Sequence, residues 1–263
     1  YYRFFTTSTN KVYNDSNNMI FKIYNTTIDT ALKNNSWETI SAISNLGVAS
    51  SYWKIGDEIS IPIKPYNTNC VLQIWDFNHF DKIDGSGKAG IVFGMKSLLM
   101  TDVMKGNVGN DDESVAWNIC EFRTTKIPGI EKCFPSDLAK YIIPVFTYTN
   151  NGPCREAKAT IDTLFLPSIT EMGGTNSTCP GGISGEDKCT AFPIFNSNLS
   201  RVKYLNDVTY YYWTRTCSGY STPAYYMSDK YVFKSYCCID DEGEFTYREQ
   251  NVSNTGFCLC FNV

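Results

Sequence analysis

Apolar positions along this chain repeat mostly with a period of two and only briefly with the period of a helix. In "NNSWETISAISNLGVAS" Ile40, Ile43 and Leu46 fall at helical spacing, Ser36 suits the N-cap, Glu38 lies in the first turn and Gly47 supplies a stop. The pattern predicts one short amphipathic helix. "EISIPI" (58–63) and "VLQIWDF" (71–77) read as strands around a turn at 65–69. A second short helix is predicted from Ser136 as cap, through Asp137, to Ile142, with Pro144 ending it.

"TIDTLFLPSITEMGG" carries the apolar run of a buried strand, followed by a loop rich in Gly, Ser, Thr and Pro as far as Thr190. Beyond Tyr212 the chain predicts three or more short strands with turns at "SG", "DEGE" and "SNTG". Residues 1–35 mix aromatic and β-branched residues with Asn, Ser and Thr, and "NMIFKIYNTTI" (18–28) alternates enough to pair as a strand. They read as an N-terminal arm or attachment segment, preceding a domain at 36–263. The fold class predicted is α+β, with short helices and many short, mainly antiparallel strands.

Composition narrows the function classes. Hydrophobic residues make up 43% and charged residues 19%, which fits a folded chain. The formal charge of −4 argues against binding a phosphate backbone, which needs a basic face, so nucleic acid is not an expected partner. No apolar run is long enough to span a bilayer, and the first residues lack the basic start and apolar run of a signal peptide. Membrane insertion is not expected. Eleven cysteines, an odd number, leave at least one unpaired within the chain. They include no C-x-x-C pair, and the single histidine, His79, has no second histidine beside it, so a zinc site is not predicted. "CCI" (237–239) and "CLCF" (258–261) read as buried strand cysteines, and a bridge from Cys179 to Cys189 is conceivable in an oxidising medium.

Two patterns resemble ligand sites. "GSGKAG" (85–90) fits the G-x-G-x-x-G expression, but "IVFGM" after it reads as a strand where a dinucleotide loop needs a helix, so a glycine-rich hairpin is predicted. Asp76, Asn78, Asp81 and Asp84 gather near one turn and could offer oxygens to a structural Ca²⁺ at Asp81 and Asp84, although they miss the EF-hand spacing and are ordinary turn formers. No cofactor is otherwise expected. Six Asn-x-Ser/Thr triplets are what an Asn- and Ser-rich chain generates by chance.

The tyrosines are the outlier. Ten of eighteen lie between Tyr204 and Tyr247. Tyrosine offers a large, rigid, amphipathic contact at low entropic cost, and Ser, Gly and Asn beside it offer adaptable hydrogen bonds, as in binding loops. Alternation along "YVFKSYCCI" sends Val232, Phe233 and Cys238 inward and Tyr231, Lys234 and Tyr236 outward. The same period puts Phe245, Tyr247 and Glu249 on one face. The competing reading is that half of these tyrosines are core, with their hydroxyls bonded inside.

In order, "SWETISAISNLGVASSYWKIGDE", "FNHFDKIDGSGKAGIVFGM", "WNICEFRT", "FPSDL", "DTLFLPSITEMGG" and "YWTRT" resemble a domain family of unknown function found in phages and prophages of gut Firmicutes, often in tail or other virion proteins. The resemblance runs from Ser36 to Val263. Its end is also similar to the C-type-lectin-like fold of the formylglycine-generating-enzyme type, used by variable proteins of diversity-generating retroelements. By that resemblance Tyr212, Trp213 and Arg215 match a supporting strand, and Gly243 and Gly256 match late glycines before the closing strand. The passage after Arg215 is longer than in those relatives.

The resemblance implies a virion protein, assembled in the bacterial host cytoplasm and exposed on the particle surface as a tail, fibre or head-fibre module. Its expected role is a host-surface adhesin for a bacterial surface protein or glycan, with 204–263 facing the ligand. The expected contacts are Thr216, Tyr220, Tyr225, Tyr226, Tyr231 and Lys234, continued by Tyr236, Phe245, Tyr247, Glu249 and Asn251. A homo-oligomer joined to other virion subunits through the arm is implied. The alternative is a structural or decoration protein whose aromatic surface contacts other subunits. Enzymatic activity, suggested only by kinship with an oxidase that uses reactive cysteines and resting on Cys258 and Cys260, is not expected, because fold kinship does not carry function.

Overall fold

Ser36 opens the first helix as its sequence predicts. In the computed structural model, which describes residues 28–104, 116–149, 158–175, 178, 186, 188–218 and 235–263, α1 spans Trp37–Asn45 and the Thr39 amide donates to Ser36 Oγ at 3.2 Å. Trp37, Ile40 and Ile43 are buried, and Gly47 follows with φ +70°. Residues 28–35, read from sequence as arm, belong to the packed body. Leu32 is in the core, and the Trp53 indole donates to the Asp29 carbonyl at 3.1 Å. The remainder of the arm, including most of the strand predicted at 18–28, lies outside the described residues.

Strict alternation shapes β1 (Glu58–Ile63), where Ile59, Ile61 and Ile63 point inward. It pairs antiparallel with β2 (Asn67–Phe77), and β2 pairs antiparallel with β3 (Ile91–Met95). The β2–β3 connection holds the glycine-rich stretch as a hairpin closed by an Asp81–Lys88 bridge, with Gly85 and Gly87 at positive φ. No helix follows it.

The chain then crosses to β4 (Met100–Thr101). A π-helical turn at Phe122–Lys126 runs into α2 (Ile127–Glu131), where Pro128 has no amide to bond backward. α3 (Ser136–Ala139) starts one residue earlier than predicted, with Pro135 at the cap, and stops short of Ile142. The Ile143 amide instead donates to the Asn262 carbonyl at 3.0 Å, drawing the chain out of the helix. β5 (Val145–Thr149) and β6 (Lys158–Asp162) form a separate hairpin, and β7 (Leu164–Phe165) joins another sheet. The single buried strand predicted for "TIDTLF" is thus broken at Thr163. The break coincides with Asp162, whose Oδ1 and Oδ2 accept from Arg123 Nε at 2.6 Å and from the Trp117 indole at 3.1 Å.

After α4 (Asn198–Arg201) come the hairpin β8 (Tyr204–Leu205) and β9 (Val208–Thr209), turned at Asn206 and Asp207 with φ +51° and +64°. Next are β10 (Tyr212–Cys217), β11 (Ser235–Ile239), β12 (Phe245–Glu249), β13 (Gly256–Phe257) and β14 (Cys260–Asn262). Two five-stranded sheets result, ordered β1-β2-β3-β14-β7 and β12-β11-β10-β13-β4. Among the described strands all pairings are antiparallel except β10 with β13. The fold is α+β and mostly β.

Two chain segments stitch the sheets together. One runs β3 to β4 and the other β13 to β14, side by side, with the Met95 amide donating to Leu259 O at 3.0 Å and the Leu99 amide to Phe257 O at 2.9 Å. One hydrophobic core therefore extends through both sheets, from Leu32 through Trp75, Phe93, Trp117 and Trp213 to Val263. Among the described residues no helix is long and apolar enough to cross a membrane.

The expected alternation fails in β11. All five of its residues are buried, because the strand lies between β10 and β12 with both faces covered. Tyr236, expected outside, is 1% exposed and packs edge-on against Trp213. Cys238, expected inside, is buried, while Val232 and Phe233 lie outside the described residues.

Candidate functional site

The second sheet is held by a charged pair in its interior. Arg215 on β10 and Glu171, in the turn after β7, are both fully buried. That turn is fixed locally: the Ser168 amide donates to Glu171 Oε2 at 2.9 Å, the Glu171 amide returns a bond to Ser168 Oγ at 3.1 Å, and Gly173 closes it at φ +87°. Arg215 Nη1 donates to Glu171 Oε2 and to Leu166 O, both at 2.7 Å. Nη2 donates to Glu171 Oε1 and, at 3.3 Å, to Tyr148 O, while Nε donates to Thr149 Oγ1 at 3.0 Å. A guanidinium has five N–H groups, and here all are committed within the protein. Burial alone would lower the Arg215 pKa, but Glu171 beside it more than offsets this and raises it.

Thr216 belongs to the same interior, which corrects its expected role as a contact. It is fully buried, its Oγ1 accepts from the Ile169 amide at 2.8 Å and donates to Glu186 Oε1 at 2.6 Å. Glu186 Oε2 accepts from Thr170 Oγ1 at 2.7 Å. Burial pushes the Glu186 carboxyl above its ordinary value, against the Thr216 bond and the Arg215 charge. Tyr236 is the second correction, since burial encloses its ring and raises its phenol.

The other expected contacts divide in two. Tyr220, Tyr225, Tyr226, Tyr231 and Lys234 lie outside the described residues. Phe245 and Tyr247 are half-buried on β12, and Glu249 and Asn251 are exposed beside them. β12 is an edge strand, and two guanidinium–aromatic stacks stand along it. Arg201 lies 4.4 Å over the Phe245 ring and donates from Nε to Gly243 O at 2.8 Å. Arg248 lies 3.6 Å over the Tyr211 ring and donates from Nη1 to Asn254 Oδ1 at 2.9 Å. Arg201, Arg248 and Tyr211 escaped the reading of the sequence. An Arg on a strand otherwise rich in aromatics was the available signal.

Tyr212, Trp213 and Arg215 are all buried in β10, the Tyr212 hydroxyl donating to Arg201 O at 2.6 Å and the Trp213 indole to Asp102 O at 3.0 Å. Gly243 turns β11 into β12 at φ +83°, and a Cβ there would sit 2.0 Å from Asn198 O. At Gly256 a Cβ would come within 2.4 Å of Leu98.

The acidic residues of the β2–β3 connection have separate partners. Asp76 holds His79 Nδ1 at 2.7 Å, Asp81 pairs with Lys88 at 2.9 Å, and Asp84 accepts from the Ser86 amide at 2.9 Å. Among the described residues no three His, Cys, Asp or Glu side chains converge as a metal site. Cys258 and Cys260 are buried thiols donating to Met95 O and Phe165 O, and burial raises both. Cys189 is an unbridged thiol, whereas Cys179 lies outside the described residues. Lys203 is a buried cation: its ammonium donates to Met95 O at 3.0 Å and lies near the Trp75 and Phe195 rings.

A family described as a domain of unknown function (DUF6273) matches residues 96–248, more than half of the chain. The chain belongs to this family. The segment shared with DUF6273 contains Glu171, Arg215 and nearly all of β12, whereas β1 to β3 and β13 to β14 lie outside it. No curated protein and no solved structure matches the chain.

Proposed function

We propose that this chain is a non-enzymatic recognition domain of C-type-lectin-like fold, borne on the surface of a phage particle as part of a tail, fibre or head fibre. It attaches to a bacterial surface protein or glycan. The observation that carries the recognition reading is the β12 margin, where Phe245, Tyr211 and Tyr247 are half-buried, two of them stacked under guanidinium groups, with Glu249 and Asn251 exposed alongside. Aromatic rings held this way lose little entropy on binding and present both an apolar face and a polar edge. The virion setting follows from the resemblance of the motif order. The non-enzymatic half is supported by the interior chemistry, since the Arg215 donors are all engaged and burial keeps Cys258 and Cys260 as thiols.

A second reading rests on Leu199 and Val208, which are 78% and 55% exposed. Large apolar residues this open suit contact with other virion subunits, as in a decoration protein. Fluorescent labelling of a panel of gut bacteria separates the two. The native domain should stain a host, and the variant Tyr247→Ala, Glu249→Ala, Asn251→Ala, folded by circular dichroism, should not. Staining that survives in the variant sinks the β12 margin as the contact. A native domain that stains nothing and elutes as a stable oligomer favours the decoration role.

A further inference from the structure

Two nucleophilic side chains share one carbonyl in the core. Lys203, between α4 and β8, donates from its ammonium to Met95 O at 3.0 Å, and Cys258, in the crossing from β13 to β14, donates from its thiol to the same oxygen at 3.1 Å. A carbonyl oxygen carries two lone pairs, so both bonds can stand together. The nitrogen and the sulfur are therefore no farther apart than the two bonds laid end to end. Lys203 is 3% exposed and Cys258 is fully buried.

Burial acts on both members of the pair. It lowers the Lys203 ammonium, with the Lys96 charge adding to the effect, and it raises the Cys258 thiol; each member pulls the other part of the way back. The resting pair is a thiol beside an amine that gives up its proton more readily than an ordinary lysine. A neutral amine is both a base and a nucleophile, and a thiol turns reactive once a base takes its proton. Full burial shuts out glutathione and other bulky thiols. A small neutral oxidant such as hydrogen peroxide enters when the packing opens locally.

We propose that Lys203 and Cys258 are a covalent modification site, joined by an S–N bond when hydrogen peroxide oxidises the thiol. The amine takes the thiol proton, and the thiolate attacks one peroxide oxygen and expels hydroxide, which leaves as water with the proton of the ammonium. The sulfur is now a sulfenic acid. The Lys203 nitrogen attacks it, and the sulfur's hydroxyl departs with an amine proton as a second water. Sulfur has lost two electrons and peroxide has gained them. The link ties the segment carrying Arg201, which clamps Phe245, to the crossing between the two sheets.

The test is peptide mapping of the full chain with and without hydrogen peroxide, after free thiols are alkylated in denaturant. Oxidised protein should yield a species joining the Lys203 and Cys258 peptides, two hydrogens lighter than their sum, uncut by trypsin after Lys203 and lost on treatment with dithiothreitol. Cys133, half-buried and unbridged, reports that the oxidant has acted. Lys203→Met and Cys258→Ala should each abolish the species. Recovery of Cys258 as a free thiol or a sulfinic acid once Cys133 is oxidised overturns the proposal. So does a disulfide from Cys258 to Cys70, the β2 thiol that burial and the Cys258 charge push up to about 12, or a linked species that persists in Lys203→Met.

Discussion

Arg215 and Glu171 form a bidentate ion pair with neither side chain exposed to solvent. The pair ties β10 in the second sheet to the turn after β7, and the remaining Arg215 donors reach the Leu166 carbonyl and, on β5, the Tyr148 carbonyl and the Thr149 hydroxyl. Such a pair fixes geometry more than it adds stability, because both charges have left water. Removing one partner is another matter. Glu171→Leu strands the guanidinium in the interior and should cost about 3–5 kcal/mol. Arg215→Met with Glu171→Leu together should cost clearly less than the two single changes added. Urea unfolding of the four proteins measures this, and strict additivity would show the pair to be uncoupled.

Lys203 offers the reverse case. Its ammonium is buried against the Met95 carbonyl and the Trp75 and Phe195 rings, and burial lowers its pKa below the ordinary 10.5. The unfolded chain therefore holds a proton there more firmly than the folded one. This group's contribution to stability is full above pH 10.5 and is lost as pH falls towards the folded value. Lys203→Met should accordingly raise stability at neutral pH by about 1–2 kcal/mol, with the advantage shrinking towards alkaline pH. Melting temperatures from pH 7 upward decide it; a less stable Met variant at pH 7 would mean that the Met95 bond outweighs desolvation.

Glu186 sets a pH dependence of opposite sense. Burial raises its carboxyl above 4.5, so the folded state binds the proton more tightly than the unfolded chain does. The stabilisation is complete below pH 4.5 and disappears as pH climbs towards the folded value. Glu186→Gln keeps an uncharged group of the same shape. The variant and the native protein should melt together at pH 4 and separate above it, the variant being the more stable near neutrality. Parallel melting profiles across that range would contradict the assignment.

What could be read in the sequence was what local chemistry decides. The Ser36 cap, the helical spacing of Ile40 and Ile43, the alternation of Ile59, Ile61 and Ile63 and the glycine hairpin after β2 need only near neighbours. Thr216 and Tyr236 were misread because a central strand covered on both faces has no periodicity to show which side is outside. The partner of Arg215 lies 44 residues away in a turn, and Lys203 meets Met95 across 108 residues. Contacts of that range come from sheet order, which the β3–β4 and β13–β14 crossings determine and no local pattern announces.

The β12 margin makes a last prediction about how binding responds to salt. Its two cations are already occupied: Arg201 by Phe245 and the Gly243 carbonyl, Arg248 by Tyr211 and Asn254. Glu249 is the exposed charge among the contacts proposed there within the described residues. Contacts built from ring faces and neutral hydrogen bonds release few counterions, so affinity for the stained host should change less than about threefold over a tenfold rise in salt. Affinity measured across that range, with Glu249→Gln alongside, checks it. A steep loss that Glu249→Gln abolishes would move recognition from the aromatic platform to that carboxylate; a steep loss that it leaves intact would place the ligand on charges elsewhere on the molecule.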